Sequence, residues 1–450
     1  MSRIRIIITI IVVVLTTLLT GCTGKEPNEI AYVVALGIDS TDDDNYKITI
    51  QYANTTQISG GASESGGKSG SEIVDNVTIE APNIYAGVGL ANNIVSKSFS
   101  MSHAKLIVFS KEIAEKGVKD MIETLVRSEE IRPDVFIAVA NTTANDYLTS
   151  VNPEMEVNPA QYYQLIYQKN QLVGIPDGQL REFFTGLYTD NYDSILPVAG
   201  VIEGAGGNSQ NDDKGQSKDG QNEGSEGSSE SLDSFESKSS DDKDENEKEK
   251  DAEKNTSKYE YDIKNYVGGE TAIEKKNKAE AIGAAVFEKD KMVGELGEVE
   301  TEICKILKGD YTYSYLTYYN NDTPDIPITV KTTQQKKPKY KIDTDKKTVD
   351  IELYIESDLY SLPADYNVEN KIEDFERDVA NYTSSACTEF INNFTKKYNS
   401  DILKLNEKVK YKFLTNNQYN WFKKNVGWSE YKFSVCTNFK VRRTGLIVRE

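Results

Sequence analysis

One histidine, His103, and four cysteines, Cys22, Cys304, Cys387 and Cys436, are the only imidazole and thiol groups in this chain of 450 residues. A zinc site of three histidines cannot be assembled from one copy. A Ser-His-Asp relay has only His103 to draw on. His103 sits in Met101-Ser102-His103-Ala104-Lys105, just ahead of an apolar run, and reads as a hydrogen-bonded structural residue. Cys304, Cys387 and Cys436 are an odd set with no Cys-x-x-Cys, so at most one intramolecular bridge could form. Each lies in an apolar periodic stretch and reads as a core thiol. Gly87-Val88-Gly89 lacks the third glycine of a dinucleotide fingerprint. Asp42-Asp43-Asp44 lacks the glycine and the distal glutamate of a calcium loop and reads as a solvated hairpin tip. There is neither a P-loop nor a Gly-x-Ser-x-Gly elbow. The sequence therefore assigns no catalytic, cofactor-binding or metal-binding residue.

Cys22 is different. Arg3 and Arg5 precede an uncharged, mostly apolar run from Ile6 to Leu19, 14 residues long. That is shorter than the ~20 residues that span a bilayer, and it suits the hydrophobic segment of an export signal. The run ends in Leu19-Thr20-Gly21-Cys22, which resembles the bacterial lipobox. There, cleavage before the cysteine frees a thiol for thioether linkage to diacylglycerol. Residues 1–21 are thus expected to be a lipoprotein signal peptide and Cys22 the lipidated residue. Several acyl chains give the stable anchoring that one chain cannot.

The elements around these residues divide the chain. Acidic residues number 72 against 52 lysines and arginines, a net charge of −20, which disfavours nucleic acid as a partner. Residues 204–257 hold 16 acids and 7 lysines and almost nothing apolar. Such a segment cannot bury enough surface to offset its ordering entropy and reads as a disordered linker. Ser59–Ser71 reads as a smaller Gly/Ser loop. Ahead of the linker, Ala31–Asp39 and Tyr46–Asn54 predict a hairpin, and Ile73–Glu80 a strand. A helix is expected from Pro82 to about Ser98. Lys105–Phe109, Lys111–Ser128 and Val135–Ala140 predict a βαβ unit, and Pro159–Asn170 and Gln179–Tyr188 further helices. After it, Ala281–Glu288 and Lys291–Leu296 predict a second hairpin, followed by the helix Glu298–Lys308. Strands follow at Tyr311–Tyr319, Ile326–Thr333, Thr348–Ser357 and Tyr431–Arg442. A long helix from about Val368 to Tyr398 carries Ile372, Phe375, Val379, Tyr382, Ala386, Phe390 and Phe394 as one apolar stripe. Asn417–Lys424 predicts a short helix. Trp421 and Trp428 read as core or interface anchors. Lys336-Lys337-Pro338-Lys339-Tyr340-Lys341 reads as an exposed basic loop, or a face for lipid head groups or a partner. The class expected is α+β, in three small domains, the last a largely antiparallel sheet covered by the long helix. Two of these domains are placed in residues 23–203 and the third in residues 258–450.

Read in order, these segments resemble the Ger(x)C family, the C-subunit lipoproteins of spore germinant receptors. The resemblance rests on Asn28–Asp39 after the lipobox, with Gly37-Ile38-Asp39, and on the Tyr46–Tyr52 strand. It continues through His103–Phe109, Arg127–Arg132, Ala284–Gly294, the long helix and the two tryptophans. It covers the chain apart from 204–257. It implies a receptor subunit rather than an enzyme, with no cofactor, anchored through Cys22 on the outer face of the cell membrane, in spores the inner spore membrane. It implies A and B membrane subunits as partners, with nutrient recognition in the B subunit rather than in this chain. Two other readings are a solute-binding lipoprotein, which needs two matched doubly wound lobes, and an envelope hydrolase working through carboxylates alone.

Overall fold

A computed structural model describes residues 3–7, 9–10, 29–43, 45–53, 74–153, 156, 159–168, 174–189, 191–202, 265–271, 277–319, 327–361 and 371–444. Cys22, Asp44, Ser59–Ser71 and 204–257 lie outside them.

The first sheet is mixed. Its strands run β1 (Ile30–Ser40), β2 (Tyr46–Ala53), β3 (Val74–Ala81), β4 (Ser98–Ser100), β5 (Leu106–Ser110), β6 (Phe136–Ala140), β7 (Ile195–Val201), β8 (Ala279–Glu288) and β9 (Lys291–Leu296). The spatial order is β3-β2-β1-β5-β6-β7-β8-β9, with β4 beside the start of β1. The centre, β1-β5-β6-β7, is parallel, and an antiparallel pair flanks it on each side. A parallel centre must be covered on both faces, so every residue of Leu106-Ile107-Val108-Phe109-Ser110 and of Phe136-Ile137-Ala138-Val139-Ala140 is buried. One face packs on α1 (Ile84–Ala91), α2 (Lys111–Lys116), α3 (Lys119–Val126) and α6 (Leu180–Thr189). The other packs on α4 (Ala144–Ser150) and α5 (Pro159–Gln168).

Two predicted helices are shorter than their sequence patterns. α1 starts at Ile84 rather than at Pro82, capped by Asn83, whose side chain accepts from the Ala86 amide at 2.9 Å, and it stops at Ala91. The Lys111–Ser128 pattern breaks at Gly117, whose φ of 124° is open to glycine and strained for other residues. The break frees the Val118 amide to donate to Asp290 O at 3.0 Å in the β8–β9 turn. β7 and α4 carry no strong periodicity and were not expected.

The sheet does not stop at the acidic segment. β7 ends at Val201, and its antiparallel neighbour β8 begins at Ala279, directly opposite. The Ile202 amide donates to Lys278 O at 2.9 Å. The hairpin placed after the linker thus closes the first sheet, because Ala284, Ala285, Val286 and Phe287 need the buried edge that β7 offers. Gly268 seals this point: its backbone lies 2.0 Å from where a Cβ on Gly200 would stand. Since the chain leaves and re-enters at adjacent strands, deleting 204–257 and joining the ends with a short Gly/Ser spacer is expected to move the melting temperature of the whole chain by only a few degrees. Loop closure changes by about 0.6 kcal/mol per halving of length. A fall of ten degrees or more in a thermal melt would show that the segment packs.

The second sheet has the order β10 (Tyr313–Tyr319), β11 (Pro327–Gln334), β13 (Thr348–Ser361), β12 (Lys339–Asp343), with β14 (Lys432–Arg443) paired parallel to β13 and the other pairings antiparallel. The mixed class and the helix-covered C-terminal sheet are as expected. The basic segment is not wholly a loop, since Lys339–Asp343 forms β12. Helix α7 (Glu298–Lys308) leads into this sheet, and α8 (Ile372–Tyr398) covers it. At 27 residues α8 is about 40 Å long.

The face α8 buries is rotated from the apolar stripe in its middle. Phe375, Val379, Phe390 and Phe394 are buried, but Thr383 and Cys387 take the place of Tyr382 and Ala386. The reason lies at the open edge of β14. There the amides of Phe433, Val435, Thr437 and Val441 donate to Asn392 Oδ1 (3.1 Å), Thr388 Oγ1 (3.0 Å), Ser384 Oγ (2.9 Å) and Glu376 Oε1 (2.8 Å). These acceptors fall on a four-residue repeat along the helix, in which the remaining rung, opposite Phe439, would be Ala380. A sheet edge that would otherwise offer bare amides to another chain is closed by one polar ladder. Glu389 is exposed on the far side of the helix.

Candidate functional site

The residues at the start of the chain's first hairpin act on α4. Asp39, buried at the end of β1, accepts from the Ala144 amide (2.6 Å) and the Asn145 amide (3.0 Å), capping that helix. Burial holds its carboxyl above the usual range, against those two bonds. A Cβ on Gly37 would meet Leu148 at 3.0 Å and Ala144 at 3.1 Å, so glycine lets α4 approach the sheet. Gln51 on β2 donates to Leu148 O (2.9 Å) and accepts from Tyr163 (2.6 Å). Tyr147 and Tyr167 share a hydrogen bond of 2.9 Å in the same buried layer. Glu130 accepts from the Met101 amide at 2.6 Å, tying the Arg127–Arg132 turn to the residues before β5. These motifs are scaffold.

Where the two sheets meet lies a polar cleft of about 390 Å³. Asp177, Glu182, Tyr192, Lys308, Asp310 and Lys404 face it. Lys404 pairs with Glu182 at 3.1 Å and lies 4.3 Å from the centre of the Tyr192 ring. Beside it a second hollow of about 580 Å³ shares Tyr192 and Asp193 and reaches Asp401, Lys423 and Trp428. The two aspartates lock the junction. The Asp193 amide donates to Asp401 O (3.2 Å), and the Asp401 amide donates to Asp193 Oδ2 (2.9 Å). The Asp401 carboxylate accepts from the amides of Leu405 (2.6 Å) and Asn406 (2.8 Å), starting α9 (Leu405–Val409). Burial pushes Asp401 up to about 7, opposed by those two amides. Lys423 donates to Thr189 O and Asn191 Oδ1, both at 3.0 Å, from α10 (Asn416–Asn425). Glu182, Lys404, Asp193, Asp401 and Lys423 are thus engaged with other elements of the fold, while Lys308 and Asp310 pair with each other at 4.0 Å.

A smaller apolar cavity, about 70 Å³, separates α7 from α8 and the second sheet. Glu302 lines it, and burial pushes its carboxyl up to about 7 against hydrogen bonds from Ser314 and Tyr311. On the same helix Lys305 donates to Ile175 O at 3.1 Å, and burial lowers it to about 8.

His103 is exposed, 3.0 Å from Ser102 Oγ through Nδ1 and edge-on to Tyr32 at 4.9 Å; it lines none of these three hollows. Cys304 and Cys387 are core thiols, pushed up by burial to about 11 and about 12, so both stay protonated near neutrality. Cys436 is a correction: it is exposed, because strict alternation on β14 buries Phe433, Val435, Thr437 and Phe439 and turns Cys436 out. Asp42 and Asp43 are exposed at the hairpin tip. Among the described residues there is no group of three or more His, Cys, Asp or Glu that could hold a metal ion, and no helix is long and apolar enough to cross a membrane. Trp428 is buried; Trp421 is exposed. The aspartate lock was not anticipated. Its halves are 208 residues apart in sequence, and no local pattern distinguishes them from other acids of this chain.

This is a two-sheet α+β body whose interior carboxylates and lysines bind its own elements. Residues 24–201 match the family described as spore germination protein N-terminal domain, and residues 282–445 match the family described as spore germination B3/GerAC like, C-terminal. The chain belongs to the Ger(x)C family of spore germination proteins. It is 26% identical over 176 residues to spore germination protein KC of Bacillus subtilis (strain 168), covering 36% of this chain and 43% of that one. It is 28% identical over 145 residues to the putative spore germination protein YfkR of the same organism, covering 32% and 37%. It is 27% identical over 104 residues to spore germination protein GerQC of Bacillus cereus, covering 23% and 29%. The aligned stretches span less than half the length of these relatives. The crystal structure of the GerBC protein aligns over 90% of this chain and 96% of its own, at 15% identity and a TM-score of 0.48.

Proposed function

We propose that the chain is the non-catalytic lipoprotein subunit of a spore germinant receptor, required for nutrient-triggered germination through assembly with A and B membrane subunits. The observation that carries this reading is the pair of family matches, in order, on both sides of the acidic segment. The lipobox at Cys22 supports a lipid anchor on the outer face of the membrane that becomes the inner spore membrane. Ile4, Ile6, Ile7 and Ile10, ahead of it, are exposed rather than packed into the body. A charge of −20 speaks against nucleic acid. The chemistry of the clefts supports a structural rather than an enzymatic role: Glu182, Lys404, Asp401 and Lys423 are engaged with the fold, and the family resemblance implies nutrient recognition in the B subunit. A matched two-lobe solute receptor is disfavoured by the unlike sheets, one with a parallel centre and one largely antiparallel.

Affinity purification from spore membranes solubilised in mild detergent tests the assembly. The tagged chain is expected to bring down its A and B subunits, the latter with about ten membrane spans. Recovery of the chain alone, while A and B still purify together, would contradict the assembly role.

A further inference from the structure

Lys404–Asn425 runs against the charge of the whole molecule. These 22 residues hold six lysines and one acid, Glu407, in a chain of net charge −20. They also carry the two most exposed large apolar side chains of the described residues, Leu414 at 94% and Tyr411 at 78%, with Trp421 at 68% beside them. The segment is held firmly from behind. Phe413 and Phe422 meet at 4.9 Å, and Phe422 lies edge-on to the buried Trp428 at 6.1 Å. Leu414 and Trp421, next in sequence to these inner rings, stand on the outer side of the same contact. Lys408 lies 4.5 Å from the centre of the Tyr340 ring, and Lys412 donates to Ile342 O, so the basic strand β12 borders the surface.

We infer that this face lies on an anionic lipid bilayer, with Leu414, Trp421 and Tyr411 entering the head-group region and Lys410, Lys412 and Lys424 meeting lipid phosphates. Aromatic and aliphatic tips rimmed by lysine are the composition of an interfacial contact. Charge selects the face, because the strongly acidic remainder is repelled by the same lipids. The anchor keeps the body near the bilayer: Cys22 is eight residues from Ile30, where β1 begins, and eight extended residues span at most about 29 Å. The inference rests on the lipid-anchor reading for that proximity, but its test does not.

The test uses residues 23–450, which retain every strand and helix of the two sheets and lack the lipidated cysteine. The chain is sedimented with vesicles of phosphatidylcholine alone, or of phosphatidylcholine and phosphatidylglycerol in equal parts. Binding is expected to the mixed vesicles only, and to be lost in high salt. The Leu414→Asp/Trp421→Asp variant is expected to bind about tenfold more weakly or worse, and Lys410→Ala about fivefold more weakly. Ile94→Asp, at an exposed apolar site elsewhere, should bind as the parent does. All these side chains are exposed, so unchanged thermal melts will certify folding. Absence of binding, equal binding to neutral vesicles, or no loss in the double variant would each overturn the inference. So would a double variant that keeps vesicle binding but no longer purifies with the A and B subunits, since the face would then belong to a protein. Lipidation of Cys22 could fail with this result intact, and the reverse.

Discussion

Phe375→Ala is expected to destabilise the chain by about 3–5 kcal/mol, the usual cost of emptying a fully buried phenylalanine site. Phe375 is fully buried near the start of α8 and packs edge-on against Phe439 of β14 at 6.4 Å. The cavity would open beside Glu376, whose carboxylate accepts from the Val441 amide and pairs with Lys440. Loosening this end therefore also loosens the last rung of the ladder that closes the sheet edge. The loss is a large share of the ~5–15 kcal/mol that holds a domain together. Glu389→Ala, on the exposed side of the same helix, should change stability by less than about 0.5 kcal/mol. Phe390 is a poorer probe than its place in the stripe suggests, because it sits at the margin of the buried face. Denaturant titration of the whole chain, followed by a probe of the second sheet, compares the variants. Equal, small effects would mean that α8 does not pack on its own sheet.

Where periodicity alone decided the outcome, the sequence was a good guide. The hairpins β1–β2 and β8–β9, the buried parallel strands β5 and β6, and most of α8 follow from apolar spacing and turn residues. Long-range partners were hidden. That β8 would join β7 depended on two strand ends 78 residues apart, Val201 and Ala279, meeting side by side. The rotation of α8 depended on Ser384, Thr388 and Asn392, polar residues that a hydrophobic stripe counts as solvent-facing. Cys436 was misjudged for the related reason that alternation gives two faces without saying which is inside. In the site, Gly37 and Asp39 were legible as a motif, but their task of holding α4 needed that helix, which is too short and too polar to announce itself. The exposure of Trp421 beside the burial of Trp428 reflects tertiary packing around Phe413 and Phe422.

Cys22→Ala is expected to abolish salt-resistant membrane retention of a chain expressed without its partner subunits. The chemistry is all-or-none: alanine offers no sulfur for the thioether, and no described helix is long and apolar enough to replace the anchor. A basic surface patch binds reversibly and weakens with salt, whereas several acyl chains hold firmly. Fractionation in high-salt buffer separates the two contributions. The parent chain should sediment with membranes and enter solution only with detergent, while the Cys22→Ala chain, once exported and cleaved or left as precursor, should lose the acyl-dependent fraction. Mass spectrometry of the parent's N-terminal peptide should show diacylglycerol on Cys22. A parent peptide without that modification, or a variant held in salt-washed membranes as firmly as the parent, would contradict a lipid-anchored receptor subunit.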